Sequence, residues 1–215
     1  MEIPDQQGSR RKSRVNLGET LAIGFFASHK MTVERFGKNE LRRTQTPDFK
    51  VFKDHNIAAY CEAKHIQQDA WLENEMKNAH PLEIVGGARP DPIFNRLTTL
   101  VHKAAAQFDA VNSSGDYPNI LVFANSDRRC MFSDLIGVLT GNGYTDSRQI
   151  EPIFKQYSEG RIRMEKRKID LYVWRDIWPV SDSRIHFFYV EGSDHYLRLC
   201  NLLGSDPAKH RKLDA

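Results

Sequence analysis

The period of the apolar positions changes repeatedly along this chain, and each change predicts an element. Residues 1–15 carry no apolar periodicity and are rich in Gln, Ser, Arg and Lys, which predicts a flexible basic arm. Asn16 is a good helix N-cap, and Glu19 stands three residues later at capping-box spacing. Leu21, Ala22, Phe25 and Phe26 then give a broad apolar face, predicting a helix that ends by about Lys30. A short extended piece, Met31 to Phe36, closes at Gly37. From Thr46 the period becomes two: Phe49 and Val51 point one way, Asp48, Lys50 and Phe52 the other. Asp54-His55-Asn56 reads as a turn and Ile57 to Ile66 as a second strand, so the two runs predict a hairpin.

Residues 69–79 are polar and helix-compatible, and His80 to Pro92, with Gly86, Gly87, Pro90 and Pro92, reads as a loop. Asp91 and Pro92 suit the N-cap and first position of the next helix. Ile93, Leu97, Leu100, Val101, Ala104, Ala105, Phe108 and Val111 recur at helical spacing, so that helix lies against a core. Asn119 to Asn125 (NILVFAN) has the unbroken apolar character of a strand buried on both faces. Met131 to Leu139 predicts a helix stopped at Gly141-Asn142-Gly143. Ile169 to Trp174 and Ile185 to Val190 are strand candidates, followed by a short apolar piece, Tyr196 to Leu203. This order predicts an α/β sandwich around a mixed sheet.

Composition narrows the class. With 215 residues, 40% hydrophobic and 27% charged, the chain suits one well-filled globular domain rather than a disordered segment. No apolar run approaches the roughly 20 residues that span a bilayer, and no apolar stretch follows Met1 as in a secretory signal. Cys61, Cys130 and Cys200 are odd in number and widely spaced, which argues for a reducing compartment and a cytoplasmic protein without membrane contact. The net charge of +3 permits nucleic-acid binding without demanding it. Two clusters stand out as candidate phosphate contacts: Arg10, Arg11, Lys12 and Arg14 in the arm, and Arg161, Arg163, Lys166, Arg167 and Lys168. A solvated tail and a solvated face are the plainer reading of both. Tyr172, Trp174, Trp178, Phe187, Phe188 and Tyr189 suit either core or base stacking.

Three polar residues stand where a plain core sheet would not place them. Asp48 opens one strand directly after Pro47, and Glu62 and Lys64, two residues apart, share one face of the next. Thirteen residues separate Asp48 from Glu62, enough for a strand, a tight turn and the return. Paired carboxylates repel unless a cation lies between them, and oxygen ligands suit Mg²⁺ or Mn²⁺ rather than Zn²⁺. An ammonium beside such an ion can orient or deprotonate a water. An exposed Glu62–Lys64 pair on an edge strand, with Asp48 merely initiating a turn, is the plainer alternative.

Pro47-Asp48, the spacer, and Glu62-Ala63-Lys64 resemble the PD-(D/E)XK motif of restriction-endonuclease-like nucleases. The resemblance spans residues 16 to about 140 and includes the preceding helix, the hairpin and the helix and buried strand behind it. It implies a restriction-endonuclease-like α/β core at 16–144, a mixed β-sheet flanked by helices, with a C-terminal α+β extension at 145–215 packed in the same domain. It further implies Asp48 and Glu62 as Mg²⁺ or Mn²⁺ ligands, the Ala63 carbonyl as another, and Lys64 as the group that positions water. Glu19 is the matching candidate for an additional acidic ligand and Gln107 for a polar group facing the site; the plainer readings are a capping residue and an ordinary helix residue. The implied activity is metal-dependent phosphodiester hydrolysis, with DNA the expected substrate. A non-catalytic nucleic-acid-binding or complex-forming domain on the same scaffold is the alternative, and a homodimer is left open.

Overall fold

A computed structural model describes residues 16–37, 45–68, 70–85, 93–144, 150–152, 162–178, 184–190 and 192–210. The elements are α1 (Leu17–Ser28), β1 (Thr32–Arg35), β2 (Phe49–Lys53), β3 (Asn56–Ile66), α2 (Ala70–Asn78), α3 (Ile93–Asp109), β4 (Asn119–Asn125) and α4 (Phe132–Thr140), followed by β5 (Asn142–Tyr144), β6 (Ile150–Pro152), β7 (Leu171–Asp176), β8 (Ile185–Tyr189) and α5 (Tyr196–Leu203). The basic arm, Arg161, Asp91 and Pro92 lie outside the described residues.

Six strands form one mixed sheet in the order β1-β2-β3-β4-β7-β8. The β1/β2 and β2/β3 pairs are antiparallel, β3/β4 and β4/β7 parallel, and β7/β8 antiparallel. β2 and β3 are joined by a two-residue turn in which Asp54 and His55 both have positive φ (51° and 66°), the requirement of a tight hairpin. A register shift at Val51/Phe52 bulges the pair near this turn.

Alternation along the strands divides the apolar residues between two cores. Cys61, Ala63, Ile120, Val122 and Val173 face Leu21, Phe25 and Phe26 of α1 and Leu199 and Leu203 of α5. Leu121, Phe123, Tyr172 and Trp174 face Leu97, Val101 and Phe108 of α3 and Leu135 and Val138 of α4. The result is a three-layer α/β arrangement with helices on both faces of the sheet. β4 is buried at all seven positions, as its unbroken apolar run requires. Tyr172 and Trp174 are core residues, whereas Phe187 on the edge strand β8 is exposed.

The segment set apart by sequence as an extension supplies β7 and β8 of the central sheet. Its register is locked at the strand entrances by buried polar groups. Asn119 donates from its backbone N–H to Asp170 Oδ2 (2.7 Å) and from Nδ2 to the Lys168 carbonyl (2.8 Å). Cys61, Cys130 and Cys200 are buried free thiols. Among the described residues, no helix is long and apolar enough to cross a membrane.

Candidate active site

Pro47 ends the β2 ladder, since it has no N–H to give. The next residue, Asp48, lies one step beyond the Phe49–Cys61 pair, opposite Glu62. The two residues bond across the strands with side chains in place of ladder carbonyls. The Asp48 N–H donates to Glu62 Oε2 (2.9 Å), and the Ala63 N–H donates to Asp48 Oδ2 (2.9 Å). Lys64 makes an ion pair with Glu62 Oε1, and its Nζ also donates to Gln107 Oε1 at 3.1 Å. Gln107, from α3, is held in turn by donating from Nε2 to the Thr46 carbonyl (3.0 Å). Asp48, Glu62, Lys64 and Gln107 therefore form one connected group. Glu62 is only 2% exposed and β3 is an interior strand, which removes the reading of an exposed edge-strand ion pair.

A cleft of about 750 Å³ opens over this group, lined by Asp48, Glu62, Ala63 and Lys64 together with Asn16, Leu17, His65, Gln67, Gln68 and Ser126. Gln67, Gln68 and Ser126 directly follow β3 and β4, so the cleft lies at the carboxyl ends of a parallel strand pair, where open α/β sheets place ligands. His65 alternates to the face opposite Lys64, yet it reaches the cleft at the strand end, with Nε2 at 2.7 Å from Ser126 Oγ.

Glu19 serves the start of α1. It accepts from Asn16 Nδ2 (3.1 Å) and pairs with Arg35, which ties the start of α1 to β1. It does not line the cleft, although its negative charge helps raise the Asp48 pKa. Among the described residues no group of three or more His, Cys, Asp or Glu side chains is placed to hold a metal ion. The acidic donor set is thus the Asp48/Glu62 pair. Of the second basic cluster, Lys166 donates to the Leu139 carbonyl (2.7 Å) and Lys168 pairs with Asp109. Both stand ahead of β7, at the end of the parallel strands away from the cleft.

Comparison with protein-family models, with curated proteins and with solved structures finds no match to this chain. The site must be read from its own chemistry.

Burial is the largest cause acting on both carboxyl groups, and each is pushed up further by a negative neighbour. Asp48 is raised by burial and by Glu19, partly offset by the Ala63 N–H and Lys64. Glu62 is raised to about 7 by burial and by Asp48, against the opposing effect of Lys64. A carboxyl whose folded pKa exceeds its ordinary value favours folding most below that ordinary value. The contribution disappears as pH rises through about 7. In EDTA, stability should therefore fall between about pH 5 and pH 8 by up to about 3 kcal/mol from Glu62 alone. Urea denaturation of the parent and of Glu62→Gln at the two pH values checks this. The variant should show a clearly smaller loss, and equal losses would remove Glu62 as the source.

Proposed function

We propose that this chain is a divalent-metal-dependent nuclease on a restriction-endonuclease-like core, with DNA as its expected substrate. The observation that carries the reading is the convergence of Asp48, Glu62 and Lys64 on one cleft at the strand ends. These residues come from two neighbouring strands, in the order and spacing of the PD-(D/E)XK motif.

The donor set fits a hard cation. The buried carboxyl of Glu62 on β3 and the half-buried one of Asp48, at the start of β2, lie side by side with Lys64 paired to Glu62, and both are pushed toward protonation. Added positive charge would relieve that repulsion, and oxygen donors suit Mg²⁺ or Mn²⁺. Asp48 and Glu62 would hold the ion; the Ala63 carbonyl is the further candidate. When bound, it would supply Lewis-acid polarisation of a phosphodiester and a more acidic water.

The remaining tasks belong to the chain. Lys64 is held at its tip by Gln107, so its ammonium is presented to the cleft in a fixed position and can donate to an attacking water or a phosphate oxygen. Gln107 is a positioning residue, anchored through Thr46 to the segment that carries Asp48. The Ala63 N–H fixes the Asp48 carboxylate, and the Asp48 N–H fixes that of Glu62, so the acidic pair is preorganised.

The test is a cleavage assay with Mg²⁺ and Mn²⁺ on single- and double-stranded DNA and RNA, run beside a melting scan. Cleavage should require the metal and stop with EDTA. Saturating Mn²⁺ should raise stability, by about 2.7 kcal/mol at a hundredfold excess over Kd. Nucleic-acid binding without cleavage would favour the non-catalytic alternative, and neither cleavage nor a metal-induced shift would overturn the proposal.

A further inference from the structure

The loop that follows β4 is built to a standard that its position at the surface does not require. Asn125 and Asp127 are both fully buried, and their side chains bond chiefly to the loop itself. Asn125 Nδ2 donates to the carbonyls of Asp127 (3.2 Å) and Cys130 (2.6 Å), while its Oδ1 accepts from the Asp127 N–H (3.0 Å). Asp127 Oδ1 accepts from the Arg129 N–H (3.1 Å), and the Cys130 N–H donates to the Asp127 carbonyl (3.0 Å). Burying an amide and a carboxylate is costly unless every bond is made, so this network fixes the loop in one conformation.

The same carboxylate gathers positive charge. Arg96 of α3 bonds Asp127 Oδ2 at 3.2 Å and also donates to the Gln67 carbonyl, on the cleft wall. Arg129 Nε lies 3.6 Å from Asp127 Oδ1, and its Nη2 has no hydrogen-bond partner. Arg128 is exposed and makes no hydrogen bond or ion pair among the described residues. Asp176, at the end of the adjacent β7, accepts from Asn125 Nδ2 (2.7 Å) and Trp174 Nε1 (2.9 Å). Two guanidiniums, those of Arg96 and Arg129, thus share one buried carboxylate, and the exposed Arg128 stands beside Arg129 in the chain, two residues beyond Ser126.

We propose that this loop, with Arg128 foremost and Arg96 and Arg129 behind it, is a phosphate-binding rim that holds the backbone of a nucleic acid over the cleft. The proposal rests on the nuclease reading for the identity of the polyanion. The bonded loop fixes the backbone from which Arg128 projects, and a guanidinium binds phosphate oxygens bidentately. Ser126 joins the rim to the cleft, since it opens the loop and bonds His65. The rim sits on the same strand ends as Lys64, whereas Lys166 and Lys168 are committed to internal partners at the other end of the sheet.

The experiment is fluorescence anisotropy of the full chain with a labelled 20-base-pair DNA duplex and an RNA duplex of equal sequence, in EDTA, over a salt series. Arg128→Gln should weaken binding roughly fivefold at low salt and lower the salt slope by about one; Arg128→Glu should weaken it further. Lys209→Gln, exposed and outside the lining of the cleft, should bind like the parent. The duplex that loses more affinity identifies the backbone preferred. Binding of Arg128→Glu within twofold of the parent, an equal loss in Lys209→Gln, or no binding by the parent would each overturn the rim. Reading binding in EDTA separates this from the nuclease reading, because no metal-dependent step contributes to it. Binding through Arg128 without any metal-dependent cleavage would leave the rim standing and remove the nuclease.

Discussion

Lys64→Ala should retain the Mn²⁺-induced rise in melting temperature, while cleavage falls by roughly 10² or more. The substitution removes no proposed ligand, and it takes away a positive charge that would otherwise repel the ion. Losing Lys64 also removes the charge that opposes the upward shift of Glu62, so more of that carboxyl is protonated near pH 7. The comparison is therefore best made near pH 8. Asp48→Ala should lose cleavage and metal-induced stabilisation together, but it also deletes the acceptor for the Ala63 N–H. Asp48→Asn keeps that acceptor and removes the charge, and should show the same double loss in a folded protein. Melting shift and single-turnover cleavage are measured on the parent and all three variants. A Lys64→Ala protein that cleaves at the parent rate would show that the resemblance at Glu62-Ala63-Lys64 carries no mechanism.

The candidate site was legible because its determinants are local. Strand alternation alone puts Glu62 and Lys64 on one face, and the hairpin returns β3 past Asp48; the structure has both. Helical spacing found α1, α3 and α4, and the unbroken NILVFAN run found β4. What could not be read was set by pairing between distant segments. Nothing in the sequence near Ile169 or Ile185 says that these strands join β4 in one sheet, because a buried strand's apolar run does not specify its neighbour. The short β5/β6 pair carries too few residues to show a period. His65 and Ser126 meet only because β3 and β4 are parallel and in register, so neither residue carried a signal alone. Arg128 and Arg129 made too short a run to stand out against the longer clusters. Their significance comes from Asp127 and Arg96, which lie on different elements.

Gly18 left no mark in the sequence reading, yet it sets how α1 meets the site. A Cβ added there would stand 3.0 Å from the Lys64 carbonyl carbon, 3.1 Å from the Lys64 oxygen and 3.2 Å from the His65 nitrogen. All three are backbone atoms of a strand paired on both sides, so they cannot yield as a flexible side chain would. Gly18→Ala should therefore destabilise the protein by about 1–2 kcal/mol, despite the better helix propensity of alanine, and Gly18→Val by more. For a chain of this size each kcal/mol corresponds to roughly 2–4 °C in Tm. Gly24, six residues on in the same helix, is the internal control: it is exposed, and a Cβ there meets nothing within 4 Å. Gly24→Ala should stabilise by about 0.5–1 kcal/mol. The same chemical change is thus expected to have opposite signs at two points of one helix. Because Asn16 and Leu17 line the cleft, displacing the start of α1 should also reduce cleavage in Gly18→Ala, at temperatures where the protein remains folded. Thermal melts and single-turnover assays on the two alanine variants decide the matter. If Gly18→Ala is as stable as Gly24→Ala, α1 does not seat against Lys64 and His65, and the helix has no part in shaping the site.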